Sequence, residues 1–219
     1  MEHIFVDFDR LSERERYKLL SGTIIPRPIA LVTTVSLDGT ANAAPFSFFN
    51  VLSSDPGVVA LGLELNKDGT LKDTTINIRD TDEFTVNIVS MTMAQQMNVC
   101  AYSFERGVDE LGHARLTQVP GKTVKSPRIK ESPASFECRR IVSVAVSRTR
   151  DIVLGRIVGA HYRADVIDIQ NCYVNAQALD PIARIEGTNY ATVHDRFSMP
   201  PHSLGNAPPT KRSSGSSES

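Results

Sequence analysis

The sequence has little cysteine, no excess charge of either sign and no long apolar run, and each shortage excludes a class of protein. Its 219 residues include three cysteines, Cys100, Cys138 and Cys172, in neither CxxC nor Cys/His spacing. An odd number of cysteines without such spacing is not the pattern of a disulfide framework or of a structural zinc site. We therefore expect three reduced thiols in the protein core.

The charges are almost balanced. With 24 basic and 25 acidic residues, the formal net charge is −1 at pH 7. Nucleic-acid-binding proteins neutralise phosphates with an excess of Lys and Arg, which this chain does not have. The composition therefore predicts no nucleic-acid partner. A chain of this length can form one large domain with a substantial core.

No apolar run approaches the ~18 residues that a membrane-spanning helix needs. The first ten residues, MEHIFVDFDR, also lack the basic flank and the apolar stretch of a secretory signal peptide. These features predict a cytoplasmic protein without a membrane partner.

The familiar catalytic motifs are missing too. The sequence contains no nucleophile elbow, no P-loop, no HExxH and no GxGxxG. The five histidines are scattered, and no two of them have the helical spacing of metal ligands. We therefore expect no metal site and no catalytic acid, base or nucleophile among the side chains.

What the sequence does have is residues 27–56, RPIALVTTVSLDGTANAAPFSFFNVLSSDP. Residues 29–36 are β-branched and predict a strand, and Asp38 and Gly39 after it are typical of a hairpin turn. The returning arm, residues 41–50, contains Pro45, which predicts an edge or kinked strand with free backbone groups. Such groups beside aromatic rings suit a planar heteroaromatic ligand. The alternative is a tight β-corner in which small residues only relieve crowding.

The rest of the chain predicts a mainly antiparallel sheet of about six strands, closed into a barrel, because few helices interrupt the strand patterns. Residues 83–90 alternate as a half-buried strand does. From about His202 the chain is polar and of low complexity, which predicts disorder. The other predicted elements are a helix from Ser12 to Gly22 with a capping box, strands at 57–65, 136–147 and 152–162, a turn at 67–69, a helix capped by Asp73 through Ile78, a helix at 91–101 and an irregular flap at 102–133.

A phosphate site is indicated where a helix begins. Lys72 supplies a positive charge and Thr74 a hydroxyl beside the free N–H groups of the first helical turn. Ser53 and Ser54 offer further hydroxyls. Alone, this pattern is weak, because Lys and Asp are common at helix starts.

Several segments in one order resemble the flavin reductase-like family, whose fold is an FMN-binding split barrel. Its members include relatives of flavoredoxin and of the reductase components of two-component flavin monooxygenases. The matching segments are RPIALVTT, DG, NAAPFSFFN, SSDP, LKDTTINI with EFTVNIV, AQQMN, GVDE, SPASFEC and ARIEGTNY.

The resemblance covers residues 26 to about 190. It implies a mainly β fold, an antiparallel, Greek-key-like split β-barrel with a few short peripheral helices. The implied organisation is an N-terminal lead and short helix at 1–22, a flavin reductase-like domain at 23–200 and a disordered tail at 201–219.

The resemblance also implies that the chain binds FMN without a catalytic side chain, because hydride passes directly between nicotinamide and flavin. Ser47 and Asn50 would lie near the reacting edge of the flavin. Lys72 and Thr74, with Ser53, Ser54 and Arg27, would hold the phosphate. The full set of implied cofactor-binding residues is Arg27, Thr33, Thr34, Asn42, Ala43, Ala44, Pro45, Ser47, Phe48, Phe49, Asn50, Ser53, Ser54, Lys72, Asp73 and Thr74.

One departure from the family concerns the electron donor. Many such reductases carry a Gly-Asp-His segment whose histidine contacts the nicotinamide nucleotide, and here the corresponding residues are Arg148, Thr149, Arg150 and Asp151. Arg148 and Arg150 could bind a nucleotide phosphate or an anionic substrate, or they could be solvated loop residues. His161, further along the predicted strand, is a third candidate for substrate or nucleotide binding.

The resemblance implies an NAD(P)H-dependent flavin reductase that supplies reduced flavin to a partner monooxygenase or to another acceptor. It also implies a homodimer with flavin near the subunit interface. The missing Gly-Asp-His segment keeps a second hypothesis open, an FMN-retaining enzyme that reduces or oxygenates a specific small molecule. A third is a flavin- or haem-binding carrier or sensor without turnover.

Overall fold

The computed structural model of the chain describes residues 1–66, 68–102, 104–105 and 107–199. The tail at 201–219, which the sequence predicts to be disordered, lies outside the described residues, as does Lys67 of the predicted turn. The helices are α1 (Glu13–Thr23), α2 (Asp73–Thr81), α3 (Ala94–Val99), α4 (Glu110–His113) and α5 (Ala176–Leu179), with 3₁₀ turns at Phe8–Arg10 and Met91–Met93. The strands are β1 (Arg27–Pro28), β2 (Ala30–Val35), β3 (Ala41–Phe46), β4 (Phe49–Ser54), β5 (Gly57–Glu64), β6 (Glu83–Ile88), β7 (Gln118–Val119), β8 (Arg128–Ile129), β9 (Ala134–Ser147), β10 (Arg150–Tyr162), β11 (Ile167–Asp168), β12 (Tyr173–Val174), β13 (Ile182–Arg184) and β14 (Tyr190–Thr192).

The main sheet has seven strands in the order β3-β2-β6-β9-β10-β5-β4, all antiparallel. Its edge strands, β3 and β4, are consecutive in the chain and are joined only by Ser47 and Phe48, which we call the edge junction. Three Cα–Cα steps of ~3.8 Å span at most ~11 Å, whereas the edges of a flat seven-stranded sheet lie ~29 Å apart at ~4.8 Å per strand. The sheet therefore curls until its edges approach. The predicted mainly β, antiparallel barrel is confirmed.

The barrel interior is apolar, and its largest side chain is Phe84 of β6, the third strand of the sheet, which is fully buried. Gly155 on β10 leaves room for this ring, because a Cβ at that position would lie 2.2 Å from Phe84 Cζ. The other buried members of this cluster are Ala30, Val32, Phe46, Val59, Leu61, Leu63, Ile78, Val86, Cys138 and Val153.

A second apolar cluster covers the opposite face of β2 and β3, where α3 and α4 pack. Its members include Leu31, Met93, Met97 and Leu111. The 102–133 connection, which the sequence predicts to be an irregular flap, contains α4, β7 and β8 and contributes Leu111, Leu116 and Ile129 to this cluster. Much of that connection is therefore packed against the barrel.

The outer face of β6 is polar but buried, which corrects the half-buried strand predicted at 83–90. Thr85 and Asn87 are both 0 % exposed because the 122–132 segment lies over them. Asn87 accepts a hydrogen bond from the Ile129 N–H at 2.9 Å, and Thr85 donates to the Ser126 carbonyl at 3.1 Å. The Thr85 and Asn87 side chains thus supply hydrogen bonds to the backbone of the 122–132 segment.

Local predictions are confirmed in most places. Ser12 and Glu15 form the predicted capping box at the start of α1, and Gly39 turns the β2–β3 hairpin with a φ of 90°. Asp73 is not the cap of α2: the N-cap is Lys72, and the helix runs to Thr81 rather than to Ile78.

The prediction of three core thiols is correct for two cysteines. Cys100 and Cys138 are buried, and burial raises the pKa of each thiol to about 12. Cys172 is exposed, at a turn with a φ of 56°. Within the described residues, no helix is both long and apolar enough to cross a membrane.

Candidate functional site

The edge junction presents an exposed aromatic ring where the two edge strands meet. The Phe48 carbonyl accepts a hydrogen bond from the Gly62 N–H of β5 at 2.7 Å. A Cβ at Gly62 would lie 2.9 Å from the Phe48 Cβ, so a glycine there lets Phe48 lie against the sheet. Phe48 is nevertheless 46 % exposed, with the Tyr17 ring of α1 at 6.2 Å. The junction therefore offers a planar apolar surface at the protein exterior.

Arg27 holds the junction from behind. Its guanidinium is buried and donates to the carbonyls of Ser21 at 2.5 Å, Ile24 at 3.0 Å and Ile185 at 2.6 Å. It also donates to Ser47 Oγ at 3.4 Å. Burial lowers the pKa of the Arg27 side chain. Because these donors bind backbone carbonyls, Arg27 connects α1 to the junction. Its guanidinium is thus already hydrogen bonded, and we do not include it in the predicted phosphate site.

Lys72 lies at the N-terminus of α2, near the end of β3 that leads into the junction. Its Nζ lies 5.8 Å from the centroid of the Phe46 ring and 3.5 Å from Glu64 Oε1. The other Glu64 oxygen lies 3.3 Å from the Arg150 guanidinium, which also pairs with Glu13 of α1. A cation at a helix N-terminus is suited to a phosphate, and the exposed Phe48 ring, two residues after Phe46, is suited to an aromatic system.

A buried network of amides and hydroxyls connects α2 to β2 and β3. Asn77 donates to Thr34 Oγ1 at 3.0 Å, and the Asn42 side chain lies 3.0 Å from Thr74 Oγ1. All four side chains are buried, so Thr34, Asn42 and Thr74 support the start of α2 from inside. Asn42, Asp73 and Asn77 also line a cavity of about 220 Å³ together with Ser36, Asp38, Thr40, Ala41, Gly107 and Val108.

The carboxyl of Glu110 closes this network from the side of α4. It is buried, and its Oε2 accepts a hydrogen bond from the Ala43 N–H at 2.8 Å. Burial raises its pKa to about 7, with nearby Asp73 and Asp109 adding to the effect. A carboxyl that titrates near neutral pH is therefore hydrogen bonded to the edge strand β3.

Three predicted cofactor-binding residues lie away from this cluster. Thr33 is fully buried, and its hydroxyl donates to the Pro127 carbonyl on the outer face of β2. Ser53 and Ser54 pair with Val58 and Gly57, at the start of β5, whereas Lys72 contacts Glu64 at its end. Seven residues of strand separate the two places by roughly 20 Å. One chain therefore does not bring these serines and Lys72 to one phosphate.

The remaining residues of the predicted arm differ in burial, and most of them face the protein interior. Ala43 is buried in the outer cluster, and Ala44 and Phe49 pack against the barrel interior. Pro45 is half-buried opposite Leu31. Asn50 is exposed, and its own Oδ1 accepts from the Val51 N–H at 2.8 Å.

Arg148, Arg150 and His161 do not form one site. Arg148 is exposed and Arg150 pairs with Glu13 and Glu64, at the beginning of β10. His161 lies near the end of β10, roughly 35 Å along the strand, and its Nε2 contacts Glu137 Oε1 at 2.5 Å. Of these three residues, Arg150 shares the Glu64 carboxylate with Lys72.

An exposed apolar surface adjoins the junction. Val144, Ile152 and Gly62 are cross-strand neighbours, so their side chains share one face of the sheet, and Val142 shares it two residues away. Val142, Val144 and Ile152 are 39 %, 48 % and 40 % exposed. We call these three side chains the apolar outer face. Because Phe48 lies over Gly62, the junction and the apolar outer face are continuous.

Two acidic residues of the site are not among the residues that the sequence points to. Glu110 follows Asp109, which caps α4 by accepting from the Gly112 N–H at 3.0 Å. An acid at a helix start is ordinarily solvated, so only the packing of α4 on β3 reveals its burial. Glu64 is the last residue of an apolar strand. Its pairing with Arg150 and its contact with Lys72 depend on how the strands and α2 pack, which the sequence does not show.

The chain is similar to several known proteins. A family model described as "Flavin reductase like domain" matches residues 21–177. The structure is similar to nitrilotriacetate monooxygenase component B from Bacillus cereus, with TM-score 0.85 and 29% identity over 91% of this chain and 100% of that one. It is similar to the 2-nitrobenzoate 2-nitroreductase NbaA of Pseudomonas fluorescens, with TM-score 0.84 and 30% identity over 95% and 100%. A protein with a split barrel domain from Shewanella frigidimarina NCIMB 400 shares the fold, with TM-score 0.76 and 20% identity over 89% and 96%.

Proposed function

We propose, because the chain belongs to the flavin reductase-like family, that it is an FMN-binding oxidoreductase that accepts hydride from NAD(P)H. In this proposal the reduced flavin serves a partner monooxygenase or another acceptor. The observation that carries it is the edge junction, whose exposed Phe48 ring has the Arg27 guanidinium 5.9 Å from its centroid and follows Phe46, the ring that Lys72 approaches at the N-terminus of α2.

The residues present fit FMN by their chemistry. Phe48, with Tyr17 nearby, offers apolar surface to a flat ring system, and Lys72 with the first N–H groups of α2 offers positive charge to a phosphate. The redox chemistry would come from bound FMN, which accepts hydride and passes the electrons on. Arg27 orients the junction by holding Ser47 and the carbonyls around it. The protein's own task is thus binding and orientation.

A second candidate function is the reduction of a specific small molecule by retained FMN. The absent Gly-Asp-His segment favours it, and so does the similarity to a protein described as a 2-nitrobenzoate 2-nitroreductase. The exposed Arg148, beside the paired Arg150, would then meet an anionic substrate. The similarity to a monooxygenase component B supports the first function instead.

We further propose a homodimer with flavin near its interface. The apolar outer face supports this, because exposed Val and Ile side chains on two adjoining strands gain from burial against a second copy. Its continuity with Phe48 would place one subunit beside the other's junction.

The domain in this proposal comprises residues 23–200, with α1 attached to it. Tyr17 of α1 contacts Phe48, and Glu13 pairs with Arg150 of β10. The lead at 1–22 therefore includes a helix that contacts both the junction and β10.

The absorbance spectrum of the purified protein tests cofactor and donor together. With FMN added in the absence of oxygen, NADH or NADPH should bleach the oxidised flavin bands at a rate that depends on protein concentration. Flavin that stays oxidised with both donors would contradict the reductase. Flavin retained through gel filtration, with oxidation of NAD(P)H only when a nitroaromatic carboxylate is present, would favour the second function.

A further inference from the structure

A small hollow lies where the turn between β9 and β10 meets α2. It has a volume of about 30 Å³, and its charged lining consists of Arg79, Arg148, Arg150, Glu64 and Asp151. A cavity of this size holds roughly two water molecules. It therefore admits a phosphoryl or carboxylate group but not an aromatic ring.

The hollow carries more positive than negative charge. Asp151 pairs with Arg79 at 2.5 Å, and Glu64 pairs with Arg150 at 3.3 Å. Within the part of the chain that the structure describes, Arg148 forms no ion pair. Each carboxylate of the lining is thus matched by a guanidinium, and the charge of Arg148 is left for an incoming anion.

Two of the guanidiniums are accessible from solvent. Arg148 is exposed, and the Arg79 side chain is 45 % exposed. A guanidinium has five N–H donors, and Asp151 accepts from only one nitrogen of Arg79 at 2.5 Å. An anion that enters the hollow can therefore accept hydrogen bonds from Arg148 and Arg79 without breaking the existing ion pair.

The turn that carries Arg148 is fixed to the barrel. The Leu65 N–H donates to the Thr149 carbonyl at 3.3 Å, and the Thr149 N–H donates to Ser147 Oγ at 3.2 Å. The Arg150 side chain donates to the same Thr149 carbonyl at 2.9 Å. Because the backbone is already held, a ligand has to order little more than the Arg148 side chain.

The hollow adjoins the proposed flavin site but is separate from Lys72. Gly62, which lies against the edge junction, pairs with Ile152, and two residues further along Glu64 pairs with Arg150. Two residues of strand span roughly 7 Å. Glu64 lies 3.5 Å from Lys72 and also lines the hollow. One carboxylate thus separates two cationic places, so two different phosphates can occupy them at the same time.

We infer that the hollow binds the 2′-phosphate of NADPH and that Arg148 selects NADPH over NADH. The inference rests on the proposed function, in which the nicotinamide of the donor meets flavin at the edge junction. The two donors differ only in this phosphate on the adenosine ribose, which an arginine commonly accommodates. A dinucleotide with its nicotinamide at the junction can extend its adenosine half to the hollow, since both places lie along β5 and β10. A phosphate dianion also matches the planar fork of a guanidinium.

The test compares Arg148→Gln with wild type, using NADPH and NADH as donors and FMN as acceptor. The 2′-phosphate is remote from the reacting atoms, so its contact with Arg148 should be equally strong before and in the transition state. The ratio of kcat/KM for NADPH to that for NADH should therefore fall about tenfold, the value of one charge-assisted hydrogen bond. The change should appear in the KM for NADPH rather than in kcat.

Arg156→Gln is the matched control. Arg156 is exposed on the same strand, β10, where it pairs with Val58 at the other end of β5, so the substitution removes the same charge far from the hollow. Its donor ratio should equal that of wild type. An equal fall in both variants would assign the effect to net charge and overturn the inference. A wild-type protein that uses NADH as efficiently as NADPH would overturn it as well.

A binding measurement separates this inference from the proposed function. In calorimetry, wild type should bind adenosine 2′,5′-bisphosphate about tenfold more tightly than adenosine 5′-monophosphate, and Arg148→Gln should bind the two alike. If neither donor reduces flavin, the proposed reductase fails, yet a preference for the bisphosphate that requires Arg148 still supports the phosphate site. Equal or undetectable binding of the two nucleotides to wild type would overturn it. So would an FMN affinity that falls in Arg148→Gln but not in Arg156→Gln, because Arg148 would then hold the flavin phosphate.

Discussion

One buried carboxylate, Glu137, anchors the 122–132 segment to the barrel. Its side chain is 0 % exposed and accepts from the N–H groups of Lys122 at 2.7 Å, Thr123 at 2.5 Å and Val124 at 3.1 Å. Although burial favours the neutral acid, the Thr123 hydroxyl, the N–H groups of Lys122 and Thr123 and the His161 side chain together lower the pKa of Glu137 to about 2. Three consecutive amides thus converge on a single ionised side chain.

We expect stability to depend on pH through this residue. The folded pKa lies below the ordinary 4.5, so the stabilisation is complete above pH 4.5 and is lost as the pH falls to about 2. The shift corresponds to about 3 kcal/mol. Glu137→Gln should lose about 2 to 3 kcal/mol of unfolding free energy at neutral pH, because its amide group faces N–H donors. Its stability should then fall less than that of wild type on acidification.

Urea unfolding followed by circular dichroism at neutral and acidic pH measures both effects. Glu131→Gln is a matched control, since Glu131 lies in the same connection but, among the described residues, accepts from one backbone amide, that of Thr117 at 3.0 Å. An equal loss in both variants would show that Glu137 is not the main anchor.

At the scale of elements, an alternating row of charges joins four of them. Glu13 of α1 pairs with Arg150 of β10, Arg150 with Glu64 of β5, and Glu64 with Lys72 at the start of α2. Glu64 is thus shared between two cations, one of which is the proposed phosphate contact. A phosphate that approaches Lys72 meets a carboxylate already in place.

Replacing that carboxylate should therefore tighten flavin binding. Glu64→Gln removes the competing charge and should lower the dissociation constant of FMN about two- to fivefold, the value of an exposed ion pair. Riboflavin should be unaffected, and added salt should reduce the gain. Fluorescence titration measures all three.

Asp82→Asn is the matched control for this gain. It makes the same change of net charge at the far end of α2, where Asp82 pairs with Arg140 and asparagine tolerates the φ of 60°. An equal gain in Asp82→Asn, or a gain with riboflavin, would assign the effect to net charge or to the ring site instead.

Local sequence patterns predict the helices and strands well where a cap, a turn or an alternation of polar and apolar residues marks them. The capping box of α1, the β2–β3 hairpin and the two long strands β9 and β10 are present as expected. These patterns fail at β6, because Thr85 and Asn87 look solvated but hydrogen bond to a segment that lies about forty residues away in sequence. Periodicity reports the side chains of a strand and not what covers them.

For the site, the sequence locates the junction but not its partners. Phe48 and Lys72 are predicted; Phe48 is part of the junction and Lys72 contacts Phe46 just before it, whereas Arg27 is committed to backbone carbonyls. Ser53 and Ser54 are close to Lys72 in sequence but far from it in space. They pair with the start of β5, and Lys72 contacts the residue at the end of that strand. Such distances depend on strand register, which no local pattern states.

For the whole molecule, the apolar outer face determines the expected assembly. Val144→Glu places a charge among Val142 and Ile152 and should convert a dimer into a monomer, because burying an unpaired carboxylate costs several kcal/mol. Light scattering after gel filtration should show half the mass of wild type.

Leu37→Glu, at a 78 % exposed position near the β2–β3 turn, should leave the assembly unchanged. A wild-type protein with the mass of one chain would contradict the dimer directly.

The closure of the barrel has a mechanical consequence. β3 and β4 each have only one neighbour in the sheet, so thermal opening should start between them, yet Ser47 and Phe48 restrict the gap at that end. The gap between β3 and β4 should therefore open most at the ends away from the junction, where Ala41 and Ser54 lie. A ligand on Ser47 and Phe48 would sit at the fixed end and tighten it, while the open end continued to exchange its amide protons with water.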